Sequence, residues 1–567
     1  MAEPRAKSAR SVKRWIFYGL AFVVLAPLLW LGVRAFVAYD ALINAQADVG
    51  SAKEAIASNS LIALPAIYDD MNDETSLAVS MTSDPVWLGA EHIPVLGPNL
   101  TAVREVASTI RGVVVDGVGP VAGEAGDFSL ASMRPEHGRI DLDRIESLIP
   151  AVDSASAALS AAEKSANDID TSQTLPPVTH AIEAFRAQLA GAVTSAESAK
   201  RVMLMIPVAL GSDEPRNYLV VLADNAQDRG NSGAPSSVAL VTVDDGSLRV
   251  VRSVPTSALH ATGPSGVAAT PGETEIYGPS VAHSPNAASA TPDYPLAAAA
   301  MAQSWQQTFH NRVDGVLTVD STGLEFLVGA TGKVELANGA TITGSNTAEL
   351  LQNEKLASGK LAALQSDALE RVLGRIIDGA GTTPGYVRAA GQLVNEKRVL
   401  LWGARAREQK FIAGSPIAGV LSTDNSAVTT YGVFFTEADG NRLSTSLATS
   451  VDLLPTACNP SSGAKSSLKI SLSSARSSGT IVEDVVVYSP VRFTATSHQV
   501  VGGRVVDFAK SSIDKRTVQR FRIEVPAKGT VILTVRLAEG ADSASAISEV
   551  RTTSRWTVTP LTIAPCS

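Results

Sequence analysis

Cysteine, histidine and aromatic side chains are scarce in this sequence, and each scarcity narrows the chemistry available to it. Only two cysteines occur in 567 residues, Cys458 and Cys566, and with no histidines at ligand spacing beside them they do not make a zinc site. The seven histidines are scattered and form no metal-ligand pair. Aromatics are held to 5%, while Ala, Val, Ser and Gly are used heavily. The common catalytic signatures are missing too. There is no Gly-x-Ser-x-Gly elbow. Gly117-x-Gly119-x-x-x-Gly123 misses the dinucleotide spacing by one residue, and Gly332-Lys333 lacks the flanking glycine and hydroxyl of a phosphate loop. Asp244-Asp245 reads as a turn rather than a carboxylate pair. No internal repeat is present. The formal net charge is −9, and the basic residues near the N-terminus make the remainder more acidic still, which argues against a nucleic-acid partner.

Against these absences stands one long apolar run. Trp15 to Val33 is a 19-residue stretch without a charge, close to the length a helix needs to cross a bilayer. Arg5, Lys7, Arg10, Lys13 and Arg14 precede it, against Glu3 alone, so the expected topology keeps the N-terminus in the cytoplasm and places the rest outside. Trp15, Tyr18 and Trp30 lie near its ends, where amphipathic rings favour the interface. The alternative is a cleaved signal peptide. Its apolar core would be shorter and followed by a small-x-small site, whereas Arg34, Phe36 and Tyr39 follow this one. The reading is a single-pass plasma-membrane protein of a bacterial envelope, with a cytoplasmic tail over 1–14 and a transmembrane helix over 15–34. In an oxidising exterior, Cys458 and Cys566 suggest one disulfide closing a long loop, a constraint of about 4 kcal/mol in the chain-entropy account; two unpaired thiols are the alternative.

Downstream the pattern changes twice. Ala-rich stretches such as Ala151–Lys164 and Val178–Lys200 have helical spacing, with breakers at Pro65, Pro94, Pro98, Pro120, Pro135 and Pro176-Pro177. Residues 35–211 are therefore expected to form a stalk of packed helices. From Asn217, short strands alternate with helices: Tyr218–Leu222, Val238–Val243 and a hairpin through Asp244-Asp-Gly246 into Leu248–Val254, then a Gly/Pro/Ala/Ser-rich loop from Pro255 to Pro292. This alternation predicts an α/β sandwich over 212–424. From Val428 the period becomes two, as in Leu468–Leu472 and Ile481–Tyr488, predicting an all-β module over 425–567.

One segment is chemically unusual. Asp224-Asn-Ala-Gln-Asp-Arg229-Gly-Asn-Ser-Gly233 follows a strand directly, and α/β sheets place ligand sites at the C-terminal ends of their strands. Arg229 can hold an anionic oxygen in bidentate fashion, and Asp224 can coordinate a hard cation such as Mg²⁺. The alternative is a solvated turn in which Arg229 pairs with a neighbouring acid.

Several stretches carry a resemblance. They are Asp84-Pro-Val-Trp87, Ile93–Pro98, Asn217-Tyr-Leu-Val-Val, Asn225–Arg229, Thr291-Pro-Asp-Tyr-Pro295, Val313–Asp320, Leu327–Gly332 and Leu400-Leu-Trp402 with Gln409. In that order they resemble a family of membrane-anchored proteins common in actinobacteria, domain of unknown function 4012. That family usually has an acid where Gln227 stands and Thr-Gly-Gly where Asn231-Ser-Gly233 stands. More distantly, the segment is similar to the LytR-CpsA-Psr envelope transferases, through Asp224, Arg229, Val238–Val243, Pro285-Asn286, Val313-Asp-Gly-Val, Gly332–Glu335 and Ile342-Thr-Gly344. The resemblance implies an α/β sandwich that moves glycopolymers from polyprenyl pyrophosphate to peptidoglycan, with Mg²⁺ and arginines on the pyrophosphate. It marks Asp224, Asn225, Arg229, Asn286 and Asp293 as candidate ligand contacts and Asp224 as the candidate metal ligand. Where those transferases carry Pro-Arg-Asp, this chain has Pro255-Thr-Ser257, which removes one arginine and one acid of the clamp.

The expected whole is an α+β multi-domain chain: transmembrane helix, helical stalk, α/β sandwich and β module. The favoured function is a non-catalytic envelope protein that binds or assembles polyprenyl-linked glycan or other envelope components. The alternatives are an active glycopolymer phosphotransferase and a surface adhesin using the β module.

Overall fold

Apolar residues at three- and four-residue spacing before residue 210, and at alternate positions after it, divide the molecule into helical and sheet-based parts. The computed structural model describes residues 9–57, 63–125, 134–260, 268–352, 356–425, 428–438, 440, 442–457, 465–539 and 547–564; within these, side chains are described except at 9–26, 28, 53, 56, 57, 125, 455–457 and 539. Two compact units emerge, one of residues 1–133 with 141–208, the other of 134–140 with 209–567.

The first unit holds helices α1 (Ala9–Ala57), α2 (Leu64–Thr82), α3 (Pro85–Ala90), α4 (Leu96–Gly112), α5 (Gly119–Ala125), α6 (Leu142–Glu146), α7 (Ile149–Asp168) and α8 (Pro176–Ala209). The expected span at 15–34 lies within α1, but most of its side chains fall outside the described residues. Among the described residues no helix is long and apolar enough to cross a membrane. Prolines at 65, 85, 150 and 176 open helices, at positions where the missing N–H costs nothing. Pro120 does otherwise. The sequence reads it as a breaker, yet the helix passes through it by way of a π turn over Val113–Val118, which widens the ladder where Pro120 cannot donate. Ala41, Ala78 and Ala107, all buried, let α1, α2 and α4 approach closely.

The second unit begins with a five-stranded mixed sheet of β1 (Arg216–Arg229), β2 (Ser232–Asp244), β3 (Ser247–Pro255), β4 (Gly315–Asp320) and β7 (Val399–Gly403), in the order β3-β2-β1-β4-β7. Only β1 and β4 are parallel among these neighbours. A small hairpin, β5 (Val334–Glu335) with β6 (Thr341–Ile342), lies beside it in sequence. Strand alternation sends Leu219 and Val221 to one face, against Tyr294, Met301 and Trp305 of α11 (Tyr294–Phe309). Leu222 and Ala239 go to the other, against α12 (Ser321–Thr331) and α14 (Ser358–Ile377). Helices therefore cover both faces of this sheet. The remaining helices are α9 (Pro271–Tyr277), α10 (Pro285–Ala288), α13 (Thr347–Leu351), α15 (Thr383–Asn395) and α16 (Ala406–Ile412).

Two five-stranded sheets then pack face to face. The strands are β8 (Thr429–Glu437), β9 (Leu447–Ala457), β10 (Lys465–Ser474), β11 (Thr480–Tyr488), β12 (Phe493–Val501), β13 (Arg504–Ile513), β14 (Arg516–Pro526), β15 (Thr530–Glu539), β16 (Ser548–Thr552) and β17 (Leu561–Ile563). Their orders are β12-β15-β10-β9-β17 and β13-β14-β11-β8-β16. Val433, Phe435, Leu468, Ile470, Phe521 and Leu533 fill the space between them. The chain is thus multi-domain and α+β. Cys458 and Cys566 lie outside the described residues.

Two segments depart from the sequence expectation. The Pro255–Pro292 stretch, read as one long loop, contains α9 and α10. Thr270 and Glu273 form a reciprocal capping box around Pro271, a start signal hidden in a Gly/Pro-rich context. Ile276 of α9 then covers the outer face of the second sandwich sheet at Phe434, Val486 and Tyr488. The polar segment 224–233 is likewise not a solvated turn. β1 continues through it to Arg229, with a register shift between Asp224 and Asp228, and returns at Ser232. Gly230 sits at φ +31°, and a Cβ there would meet the Thr291 carbonyl oxygen at 2.3 Å. The glycine permits close backbone packing rather than loop freedom.

Candidate functional site

β1 and β4 end side by side, and their parallel pairing brings Ala223 opposite Asp320. Every polar residue of the Asp224–Arg229 run is thereby placed at the carboxyl end of the sheet, the position from which α/β folds reach ligands. Here the side chains reach protein groups instead.

Asp224 is buried and faces Arg442, whose guanidinium lies 2.9 Å from one carboxylate oxygen and donates to the other at 3.2 Å; the Ala226 amide donates to that second oxygen at 3.0 Å. Burial pushes the Asp224 carboxyl up from the usual carboxylate range, and Arg442 partly offsets this. Asn225 is fully buried and turns the other way. Its amide donates to Asp320 Oδ2 at 2.8 Å, and its carbonyl oxygen accepts from Gln352 at 3.1 Å. Asp320 also caps α12 by accepting from the Gly323 amide at 2.6 Å, and takes a 2.8 Å ion pair from buried Arg398.

Asp228 carries the tightest pairing. Arg555 lies after β16, and its Nε donates to Asp228 Oδ2 at 2.6 Å, with both side chains almost wholly buried. The same guanidinium donates to Thr449 Oγ1 at 2.7 Å and to the Ser444 carbonyl at 3.2 Å. The Ser444 hydroxyl accepts from the Asp228 amide at 2.9 Å. Around the hairpin tip, Thr553 donates to the Gly230 carbonyl, and the Ser554 amide to the Asn231 carbonyl at 3.0 Å. Arg229 donates to the backbone carbonyls of Glu437 and Asp228, at 2.5 and 3.2 Å. Burial lowers its pKa, opposed by Glu437 and Glu483. The predicted site is therefore the seam along which the β sandwich is fastened to the α/β sheet.

The five candidate ligand contacts do not converge. Arg229 and Asn286 share a polar cleft of about 340 Å³ between α9–α10 and the sandwich, together with Asp484, Arg520 and Arg522. Asn286 is exposed there. Two arginines of the cleft share one acid, Asp484 pairing with Arg520 and Arg522 at 3.4 and 2.8 Å, while Arg229 is held by carbonyls. Asp224 and Asn225 point elsewhere, as described. A second recess, apolar and lined by Val221, Pro285, Tyr294, Met301 and Leu400, has room for about 40 Å³. Pockets that enclose drug-sized ligands hold roughly 300–1,000 Å³. Among the described residues no three His, Cys, Asp or Glu side chains gather in a metal-holding group. Asp224 is a single carboxylate already facing a guanidinium, a donor set that does not suit Mg²⁺.

Asp293 sits in a different cluster. It precedes α11, near Glu273 of α9 and Asp514 of the β13–β14 turn. Burial, then the charge of Glu273, pushes its pKa up to about 7. The nearby Tyr277 and Tyr488 hydroxyls bond each other at 2.8 Å. A carboxyl whose folded pKa is raised stabilises the fold fully below its unfolded value, and that contribution is lost as pH rises through the folded value. This unit should therefore weaken between pH 3.8 and about 7 on account of Asp293. Asp293→Asn is expected to stabilise the protein more at pH 8 than at pH 5, the difference being roughly 1–3 kcal/mol. Parallel urea-stability profiles for the two proteins from pH 5 to 8 would refute this.

Sequence reasoning missed Asp228, Asp320, Arg398, Arg442 and Arg555. Asp320 did leave a signal, an acid ending a strand before Ser-Thr-Gly, which is the pattern of a helix cap. The three arginines left none, because they come from more than 70 to more than 300 residues away in sequence.

Residues 213–355 match the model of a family described as Protein of unknown function (DUF4012). No curated protein matches the chain. The matched stretch contains all five candidate contacts, whereas Arg398, Arg442 and Arg555 lie beyond it.

Proposed function

We propose that this chain is a single-pass protein of a bacterial plasma membrane, anchored through residues 15–34 with its bulk extracytoplasmic, and that its transferase-like α/β domain acts as a non-catalytic scaffold. Its role is to bind or assemble envelope components such as glycopolymers or their lipid carriers. The uncharged run and its basic flank support the placement. One observation carries the loss of catalysis. The acids and arginine at the ligand end of the sheet are engaged by the chain's own Arg442, Arg555 and Glu437 carbonyl. Transfer from a polyprenyl pyrophosphate needs cationic donors aimed at the charge that develops on the leaving group. Arg229 is committed to backbone carbonyls, and Pro255-Thr-Ser257 lacks the second arginine of the resembling enzymes.

The expected result with purified, detergent-solubilised full chain, Mg²⁺, a polyprenyl-pyrophosphate-linked glycan and peptidoglycan acceptor is no transfer above the protein-free control. Time-dependent transfer that Arg229→Ala abolishes would restore the active-transferase reading.

A further inference from the structure

The first unit carries an exposed apolar surface at one end, and its position along α1 identifies a partner. Contacts of α1 fall in order along its length. Leu31 packs with Trp87, Ala90 and Leu100; Ala41 with Ala78 and Ala107; Ala55 with Leu64. Thus α2 runs antiparallel to α1 and α4 runs parallel to it. The connection between them, residues 83–95 with α3, turns beside Leu31. Asp84 fixes this level, accepting from Trp30 Nε1 at 2.7 Å and pairing with Arg34 at 3.0 Å. Arg34 also donates to the Met81 carbonyl at 2.8 Å. The turn between α7 and α8 comes to the same end, since the Leu175 amide donates to Asn99 Oδ1 at 2.8 Å.

These two turns expose Val86, Leu88, Ile93, Val95 and Leu175. Val95 is the most exposed of them at 67%, and it is held at φ +71°, a strained conformation for a β-branched residue. Of the charged groups here, Asp84 pairs with Arg34 and Glu91 with Arg104 at 2.7 Å, while Asp170 of the second turn is exposed and accepts from the Ser172 amide at 2.9 Å. The last residue of the uncharged run is Val33, within one helical turn of both Trp30 and Arg34. A helix that leaves the hydrocarbon at Val33 therefore places these turns in the interfacial layer, where apolar side chains beside a spanning helix enter the headgroup–acyl boundary.

We propose that residues 83–95, with Leu175, form a membrane-resting foot. In it Val86, Leu88, Ile93 and Val95 insert shallowly into the outer leaflet and hold the helical bundle upright on its anchor. The recognition is apolar, so it is insensitive to lipid charge. The proposal rests on the anchor reading of residues 15–34, and its test separates the two.

Full chain is reconstituted in phosphatidylcholine nanodiscs, with Cys458 and Cys566 replaced by serine. An environment-sensitive fluorophore is attached in turn to Leu20→Cys, Val95→Cys and Leu204→Cys. Shallow and deep spin-labelled lipids then serve as quenchers. The expected result is quenching of the Leu20 label by deep lipid, about a twofold loss of emission from the Val95 label with shallow lipid, and no loss from the Leu204 label. Quenching at Leu20 without quenching at Val95 overturns the foot and leaves the anchor standing. No quenching at either position overturns both. Concentration-dependent shielding of the Val95 label in detergent alone would assign the surface to a second copy and overturn the lipid assignment. Amide exchange of residues 83–95 in the unsubstituted chain is a readout free of substitutions. It should be slower in nanodiscs than in detergent, and equal rates would count against insertion.

Discussion

Arg555→Ala is expected to destabilise the sheet-containing unit by about 3–5 kcal/mol, the cost of leaving a buried charge without its partner. Arg555 is the only guanidinium within ion-pairing distance of Asp228 among the described residues, and neither side chain reaches solvent. The substitution also removes donors to Thr449 and Ser444 and the cation above the Phe435 ring. The loss should depend on pH. Burial raises the Asp228 pKa, and Glu483, wholly buried nearby, is pushed well above the usual range by burial and then by Asp228. Once Arg555 is gone, the cheapest response is for Asp228 to take a proton. Arg555→Ala should therefore cost less at pH 5 than at pH 8 in urea denaturation of the purified chain. A cost below about 1 kcal/mol at pH 8, typical of a surface pair, would contradict this.

Asp320→Ala should have the second-largest effect, about 3 kcal/mol. It removes the cap of α12, worth ~0.5–2 kcal/mol on its own. It also strips buried Arg398 of a carboxylate and leaves the Asn225 amide without its acceptor. Arg398 keeps its 2.7 Å bond to Glu396, which is why the expected loss falls short of the full penalty for an unpaired buried charge. Asp320→Asn keeps a cap acceptor and should recover about half of the loss. Hydrogen exchange within α12 gives the sharper view. Faster exchange in the first turn is expected for the alanine variant, and unchanged exchange there would show that the cap contributes little.

Much of the fold could be read from the sequence because burial leaves a period. The two-residue alternation of Leu468–Leu472 and Thr530–Leu537 marks strands whose inner residues, Ile470 and Leu533 among them, are fully buried. Ala-rich helical spacing marks α7 and α8. Burial of polar residues leaves no such period. Asp224, Asn225, Asp228 and Arg229 look like a ligand loop because polar side chains beside glycine usually face water or substrate. Here they form strand and seam, satisfied by Arg442, Gln352 and Arg555 from distant parts of the chain. Asn286 and Arg229 do meet, in a cleft where Arg229 is held by backbone carbonyls and Arg520 and Arg522 by Asp484. The sequence thus points to the right end of the sheet, while the use made of that end depends on long-range pairings that no local pattern encodes.

The direct measurement of that use is a double-mutant cycle between Asp228 and Arg555, combining Asp228→Asn, Arg555→Met and the pair, followed by urea denaturation of the full chain at pH 8. If these side chains fasten the sandwich to the sheet, the cycle should return a coupling of about 2–3 kcal/mol, with the double variant more stable than Arg555→Met alone. Coupling near zero, with all three variants as stable as the parent, would mean that Asp228 is free for a ligand and would contradict a scaffold built on this seam.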